Sequence, residues 1–124
     1  MATFNKFNCF VEDLAEKKHN LGSDTLTIAL CAAANAPTAS NTVLANLTQI
    51  SYTNLSSRAV TTTSSAQTSG TYKLVLADLV LTASGSVGPF RYAVLYNDTA
   101  TNDELIGYVD YGSDITLANL ETLT

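Results

Sequence analysis

An all-β fold with one N-terminal α-helix, built as a β-sandwich or a jelly-roll-like barrel, is predicted by three observations. From Thr71 onward, the apolar runs TYKLVLADLVL, PFRYAVLYND, ELIGYVDYG and ITLANLETLT are separated by Gly, Ser, Pro, Asn and Asp. That is the pattern of antiparallel strands joined by turns. Upstream, Leu26, Ile28 and Leu30 alternate with Thr25, Thr27 and Ala29, the period-two signature of a strand. Before them, Phe7, Phe10, Val11 and Leu14 recur at i, i+3, i+4 and i+7, the period of one helical face.

The helix is expected over about residues 4–18. Thr3 or Asn5 can cap its start, and Lys17, Lys18 and His19 suit the negative end of its dipole. Asn20, Gly22 and Ser23 end it. Its aromatic face is expected to cover the sheet. Asp24–Cys31 is the first strand, and Ala32–Ser40, which contains Pro37, is a loop. Thr42–Leu47 reads as a helical turn, with a short extended piece starting at Ile50 and Tyr52. Residues 54–70 are rich in Ser and Thr. Thr favours strands, so this segment is expected to be an edge strand or hairpin arm that gains order from a neighbour.

Asp78 interrupts the apolar run of Thr71–Ala83, and a bulge or turn there would divide it into two strands. Ser84–Pro89 reads as a turn. Phe90–Tyr96 is apolar on both parities, as in a strand covered on both faces. Residues 97–103 form the next turn and Leu105–Tyr111 the next strand. Gly112–Asp114 is a break, and a last strand starts at Ile115. The chain still reads as strand at Leu123 and Thr124. Either this strand closes the sheet or the natural chain extends beyond it.

A chain of 124 residues suits one domain with a core that needs neither disulfide nor metal. It is 46% hydrophobic and only 14% charged, so intrinsic disorder is excluded. A surface of Thr, Ser, Asn and Ala is cheap to desolvate and suits packing against neighbours. The net charge is −5, and the basic residues are Lys6, Lys17, Lys18, Arg58, Lys73 and Arg91. They make no stripe able to neutralise a run of phosphates, so neither nucleic acid nor an anionic membrane is an expected partner. The start, MATFNKFNCFVEDL, lacks the apolar core of a secretion signal, and the chain is expected to be made in the cytoplasm.

Chemistry-bearing residues are few. Cys9 and Cys31 show no metal spacing and are expected to be reduced thiols packed as small hydrophobes. His19 is the single histidine, and no nucleophile signature accompanies it. Asp98, Asp103, Glu104, Asp110 and Asp114 lie late in the chain. They raise the questions of a calcium site or a carboxylate pair, but the DTATNDE segment lacks the calcium-loop glycine and terminal glutamate. Gly85 and Gly88 resemble a phosphate loop only superficially, since no GK[ST] follows. Asn46, Asn54 and Asn97 each head a glycosylation tripeptide, which chance explains in a chain rich in Asn, Ser and Thr. Tyr92, Tyr96, Tyr108 and Tyr111 fall in expected strands, where core packing with the hydroxyl at the rim is their expected use. No catalytic, metal or cofactor-binding residue is assigned, and the chain is not expected to be an enzyme.

The stretches FVEDLAEKKHNLGSDTLTIAL, NTVLANLTQISYTN, GPFRYAVLYNDT and LIGYVDYG resemble a group of small virion proteins of tailed bacteriophages, over nearly the whole chain. Relatives in that group tend to continue past the position of Thr124 with another strand. The resemblance implies a structural component of the particle, a capsid decoration (cement) protein that binds and stabilises the assembled head. Its partners would be the major capsid protein and copies of itself, as a homo-oligomer such as a trimer. The alternatives are a tail-tube, tail-completion or fibre-associated subunit and, in another class, a carbohydrate-binding module.

Overall fold

The structure, a computed structural model, describes residues 3–124; Met1 and Ala2, which open the stretch weighed as a leader, lie outside them. The fold is mostly β with one short helix near the N-terminus. In chain order the elements are β1 (Thr3–Lys6), α1 (Cys9–Ala15), β2 (Leu26–Cys31), β3 (Ala59–Val60), β4 (Thr62–Thr68), β5 (Thr71–Leu76), β6 (Leu81–Thr82), β7 (Val87–Asn97), β8 (Leu105–Leu117) and β9 (Thr122–Leu123). Short 3-10 turns occupy Ala33–Asn35 and Leu44–Asn46, the second within the helical turn expected at 42–47. The principal sheet has the order β1-β8-β7-β2-β3, while β4-β5 and β6-β9 are separate two-stranded ribbons. Among the described residues every strand pairing is antiparallel, and no sheet closes into a barrel.

The helix is much shorter than the sequence period predicts. Residues 3–6 are a strand, with Phe4 opposite Val109 and Lys6 opposite Gly107. The Phe4 ring lies over Gly107, where a β-carbon would collide with it. Pairing with β8 satisfies the backbone donors and acceptors that a helix would otherwise have used. Phe7 is fully buried but precedes the helix, and Val11 and Leu14 are exposed. The face α1 buries carries Asp13 instead. The helix ends in a Schellman arrangement: the Lys18 amide donates to the Asp13 carbonyl at 2.8 Å and the Lys17 amide to the Leu14 carbonyl at 3.4 Å. Lys17 takes the left-handed position (φ 68°) where glycine is usual.

Alternation along β2 and β7 sorts the core onto the two faces of the sheet. Phe7, Ala29, Cys31, Tyr92, Val94, Tyr96 and Leu105 pack on one face, with Leu44 and Leu47 of the 32–47 loop against them. On the other face, Leu26, Leu95 and Ile106 meet Leu21, and Leu30 and Phe90 meet Leu81 and Ala83. Phe90–Tyr96 is thus covered on both faces, as its sequence predicts. The register shifts between Phe90 and Tyr92, which moves Phe90 to the face opposite Tyr92 despite their equal parity.

Two expected breaks are bulges inside strands. Gly112–Asp114 lies within β8, where Gly112 has φ 82° and its amide donates to the Asp110 carboxylate at 2.8 Å. Gly88 and Pro89 lie within β7. Gly88 has φ 110°, and a β-carbon there would sit 2.7 Å from the Ile115 carbonyl oxygen. The run from Thr71 does divide beside Asp78, into β5 and β6.

Candidate functional site

Two regions stand out: a buried polar cluster at one end of the principal sheet, and an uncharged hairpin arm beside an apolar groove.

The cluster is organised by Asn97, the last residue of β7, which is fully buried. Its side-chain oxygen accepts from the backbone amides of Thr99 at 3.0 Å and Ala100 at 3.1 Å, shaping the 98–104 turn. Its side-chain nitrogen donates to Asp24 Oδ2 at 2.6 Å and faces His19 Nδ1 at 3.0 Å. The turn is fastened to the start of β2 by two more bonds, from the Asp98 amide to the Thr25 carbonyl at 2.9 Å and from the Thr25 amide to Thr99 Oγ1 at 2.8 Å.

His19 lies behind α1, 5% exposed, with its ring 5.4 Å from that of Phe10. Burial holds its pKa below the ordinary histidine value, against the opposing pull of Asp13, Glu104 and Asp24. Asp13, also 5% exposed, pairs through Oδ1 with Lys18 Nζ at 3.3 Å. Asp13 Oδ2 and His19 Nε2 are buried without a hydrogen-bond partner. Over the cluster opens a cleft of about 1000 Å³ lined by the 17–24 loop, the 99–104 turn, and Ser65 and Tyr72 of the hairpin.

The five late acidic residues do not come together as one group. Asp98, Asp103 and Glu104 gather at the β7–β8 turn, where burial and the neighbouring charges raise the pKa of Asp103. Asp110 lies along β8 and accepts from Arg91 Nε at 2.8 Å and Nη2 at 3.3 Å. Asp114 sits in the β8 bulge. Among the described residues no group of three or more His, Cys, Asp or Glu is placed to hold a metal ion.

Cys9 and Cys31 are free, and burial pushes each thiol up to about 11, which disfavours the nucleophilic thiolate. Tyr92 and Tyr96 are buried and Tyr108 packs edge-on to Tyr92, so these rings do not form an open platform. Arg58 stacks 3.7 Å over the Tyr52 ring and donates to the Ile28 carbonyl at 2.7 Å; it is committed to the fold. Of the three glycosylation tripeptides, the one at Asn97 starts from a side chain with no exposure.

The arm is the β4–β5 hairpin. Every residue from Thr63 to Lys73 is exposed, and Lys73 is the one charged side chain among them. The turn between Thr68 and Thr71 has positive φ at both Ser69 and Gly70 (51° and 84°), as type I′ hairpins require. At the base of the arm lies an apolar groove of about 300 Å³, lined by Val60, Leu76 and Leu79 together with Phe4, Val109 and Tyr111. Phe4 is about half exposed here (55%). Of the Ser/Thr-rich segment 54–70 expected to be an arm, residues 62–68 form β4, while β5 comes from the apolar run that starts at Thr71. Nothing in the sequence marks the groove, whose walls come from distant strands.

No family model matches this chain, and no curated protein or solved structure does either.

Proposed function

We propose that this protein is a non-enzymatic structural component of a tailed-bacteriophage particle, a capsid decoration (cement) protein that binds the assembled head. The observation that carries this reading is the arm: an ordered hairpin, exposed on both faces from Thr63 to Lys73 and nearly free of charge. A two-stranded ribbon buries too little to be stable alone, and hydroxyl-rich side chains desolvate cheaply against a partner. The apolar groove at its base extends the same surface. On this reading the β4-β5 and β6-β9 ribbons form the second layer of a sandwich that neighbouring subunits complete. Stabilisation would follow mass action, since a ligand of the shell alone favours the shell by RT ln(1 + [L]/Kd).

Particles lacking the protein are expected to form but to break sooner under heat or osmotic shock. Purified protein added back is expected to bind heads to saturation and restore their resistance, with the arm becoming protected from protease. Saturable binding to tails alone would move the assignment to a tail subunit. Glycan binding by the isolated protein, without affinity for particles, would replace it with a carbohydrate-binding module.

A further inference from the structure

The hydrogen bonds around Asn97 determine where the proton of His19 sits. The Asn97 side-chain oxygen is occupied by the Thr99 and Ala100 amides, and its nitrogen by Asp24 Oδ2. Flipping the amide would set its NH2 against two backbone donors and its oxygen against a carboxylate, so the orientation is fixed. The group facing His19 is therefore a donor, and His19 Nδ1 must accept. A neutral ring whose Nδ1 accepts carries its proton on Nε2, and that N–H has no acceptor.

A second proton has to go to Nδ1, where it would confront the Asn97 N–H. The ring can then no longer stay where it is. The charged groups facing it are Asp13 on α1, Lys18 just beyond that helix, Asp24 before β2 and Glu104 before β8. Of the three carboxylates, Asp13 offers a buried oxygen without a partner. Asp24 Oδ2 already accepts from Asn20 and Asn97, and Glu104 Oε1 accepts from the Asn102 amide at 3.1 Å.

We infer that His19 is an acid-operated latch: proton uptake at Nδ1 breaks its bond to Asn97, transfers the ring to Asp13, and frees the 16–23 segment from the end of β7. That segment forms one wall of the cleft, so the cleft opens in acid. No covalent step is involved; one proton comes from solvent, and one hydrogen bond is exchanged for an ion pair.

His19 is the single histidine in the chain, so every imidazole signal belongs to it. The test is a long-range proton–nitrogen NMR titration of the uniformly labelled full chain, from about pH 8 down to about pH 4, spanning the ordinary histidine range. At the start only Nε2 should carry a proton. Both nitrogens should be protonated after a transition below the ordinary 6.5. The Asn97 side-chain NH2 and the Thr99 and Ala100 amides should shift with the same midpoint, and amides of residues 19–23 should exchange faster below it. A proton on Nδ1 at neutral pH would overturn the latch, as would a midpoint at or above 6.5 or amides at 99 and 100 that ignore the transition. In His19→Gln the acid response of those amides should vanish, and its persistence would overturn the latch too. If that variant does not fold, the wild-type titration decides alone.

Discussion

The Asn97 side chain donates to Asp24 Oδ2 at 2.6 Å across 73 positions of sequence, joining the end of β7 to the loop before β2. The same amide holds the 98–104 turn through two backbone donors. Asn97→Ala would leave those donors and a carboxylate oxygen short of partners in a buried site. Each unsatisfied group costs about 1–3 kcal/mol, so with partial rescue by water a loss of about 3 kcal/mol is expected in urea unfolding. Asn97→Asp keeps the accepting oxygen but sets a second carboxylate against Asp24, and it should also destabilise near neutral pH. A loss below about 0.5 kcal/mol for the alanine variant, the level of ordinary surface changes, would show that the cluster does not hold the turn.

The pair Arg91–Asp110 gives a sign-definite pH dependence. Hydrogen bonding from Arg91, then from the Gly112 amide, holds the Asp110 carboxyl below its ordinary 3.8. A carboxylate with a depressed folded pKa gives stability that is present above the unfolded value and lost as pH falls through the folded one. The contribution should therefore be intact near neutrality and disappear below about pH 3.8. Both side chains are about one-third exposed (34% and 35%), so solvent screening keeps the effect small. Arg91→Lys loses the forked geometry and should raise the Asp110 midpoint, read by carboxyl NMR. An unchanged midpoint would mean that the Gly112 amide alone sets it.

The strands were legible because their side chains obey one local rule. Leu26, Ile28 and Leu30 alternate with smaller residues and fall in β2, and Phe90–Tyr96, apolar on both parities, is the middle of the longer β7. The N-terminus misleads because Phe7, Phe10, Val11 and Leu14 have helical spacing while Phe4 and Phe7 are claimed by the sheet. Strand pairing with β8 is a long-range gain that no local period reports. Bulges were invisible for the same reason: Gly112 reads as a stop, but continued pairing with β7 carries the strand past it. The polar cluster was hidden because Asp13, His19 and Asn97 each look like a solvated residue in its own neighbourhood, and only the fold brings them together. Ser/Thr composition marked residues 54–70, where β4 lies, but the partner strand β5 belongs to the apolar run from Thr71, and its Leu74 and Leu76 pack on the core.

Phe7 and Phe10 separate the two readings of the N-terminus by energy. Helical spacing treats them as equals, yet Phe7 has no exposure and sits in the core with Tyr92 and Val94, while Phe10 is half-buried beside Leu21 and His19. Phe7→Ala should cost about 3–5 kcal/mol, as for a fully buried ring, whereas Phe10→Ala should cost about half as much. The comparison is read from urea midpoints at constant slope. Equal losses would restore the long amphipathic helix in place of β1.

Lys17 provides the converse, a substitution expected to stabilise. It stands at the left-handed position after α1 (φ 68°), where the β-carbon approaches the following carbonyl at a cost of about 1–2 kcal/mol. The Lys18-to-Asp13 and Lys17-to-Leu14 backbone bonds that close the helix need that conformation. Glycine adopts it without strain but loses more backbone entropy on folding, so Lys17→Gly should gain about 0.5–1 kcal/mol. Lys17→Ala is the control, since it removes the ammonium and keeps the β-carbon; it should gain nothing. If the alanine variant gained as much as the glycine one, the side-chain charge and not the backbone angle would be the source. Destabilisation by glycine would mean that the helix does not end in the left-handed turn.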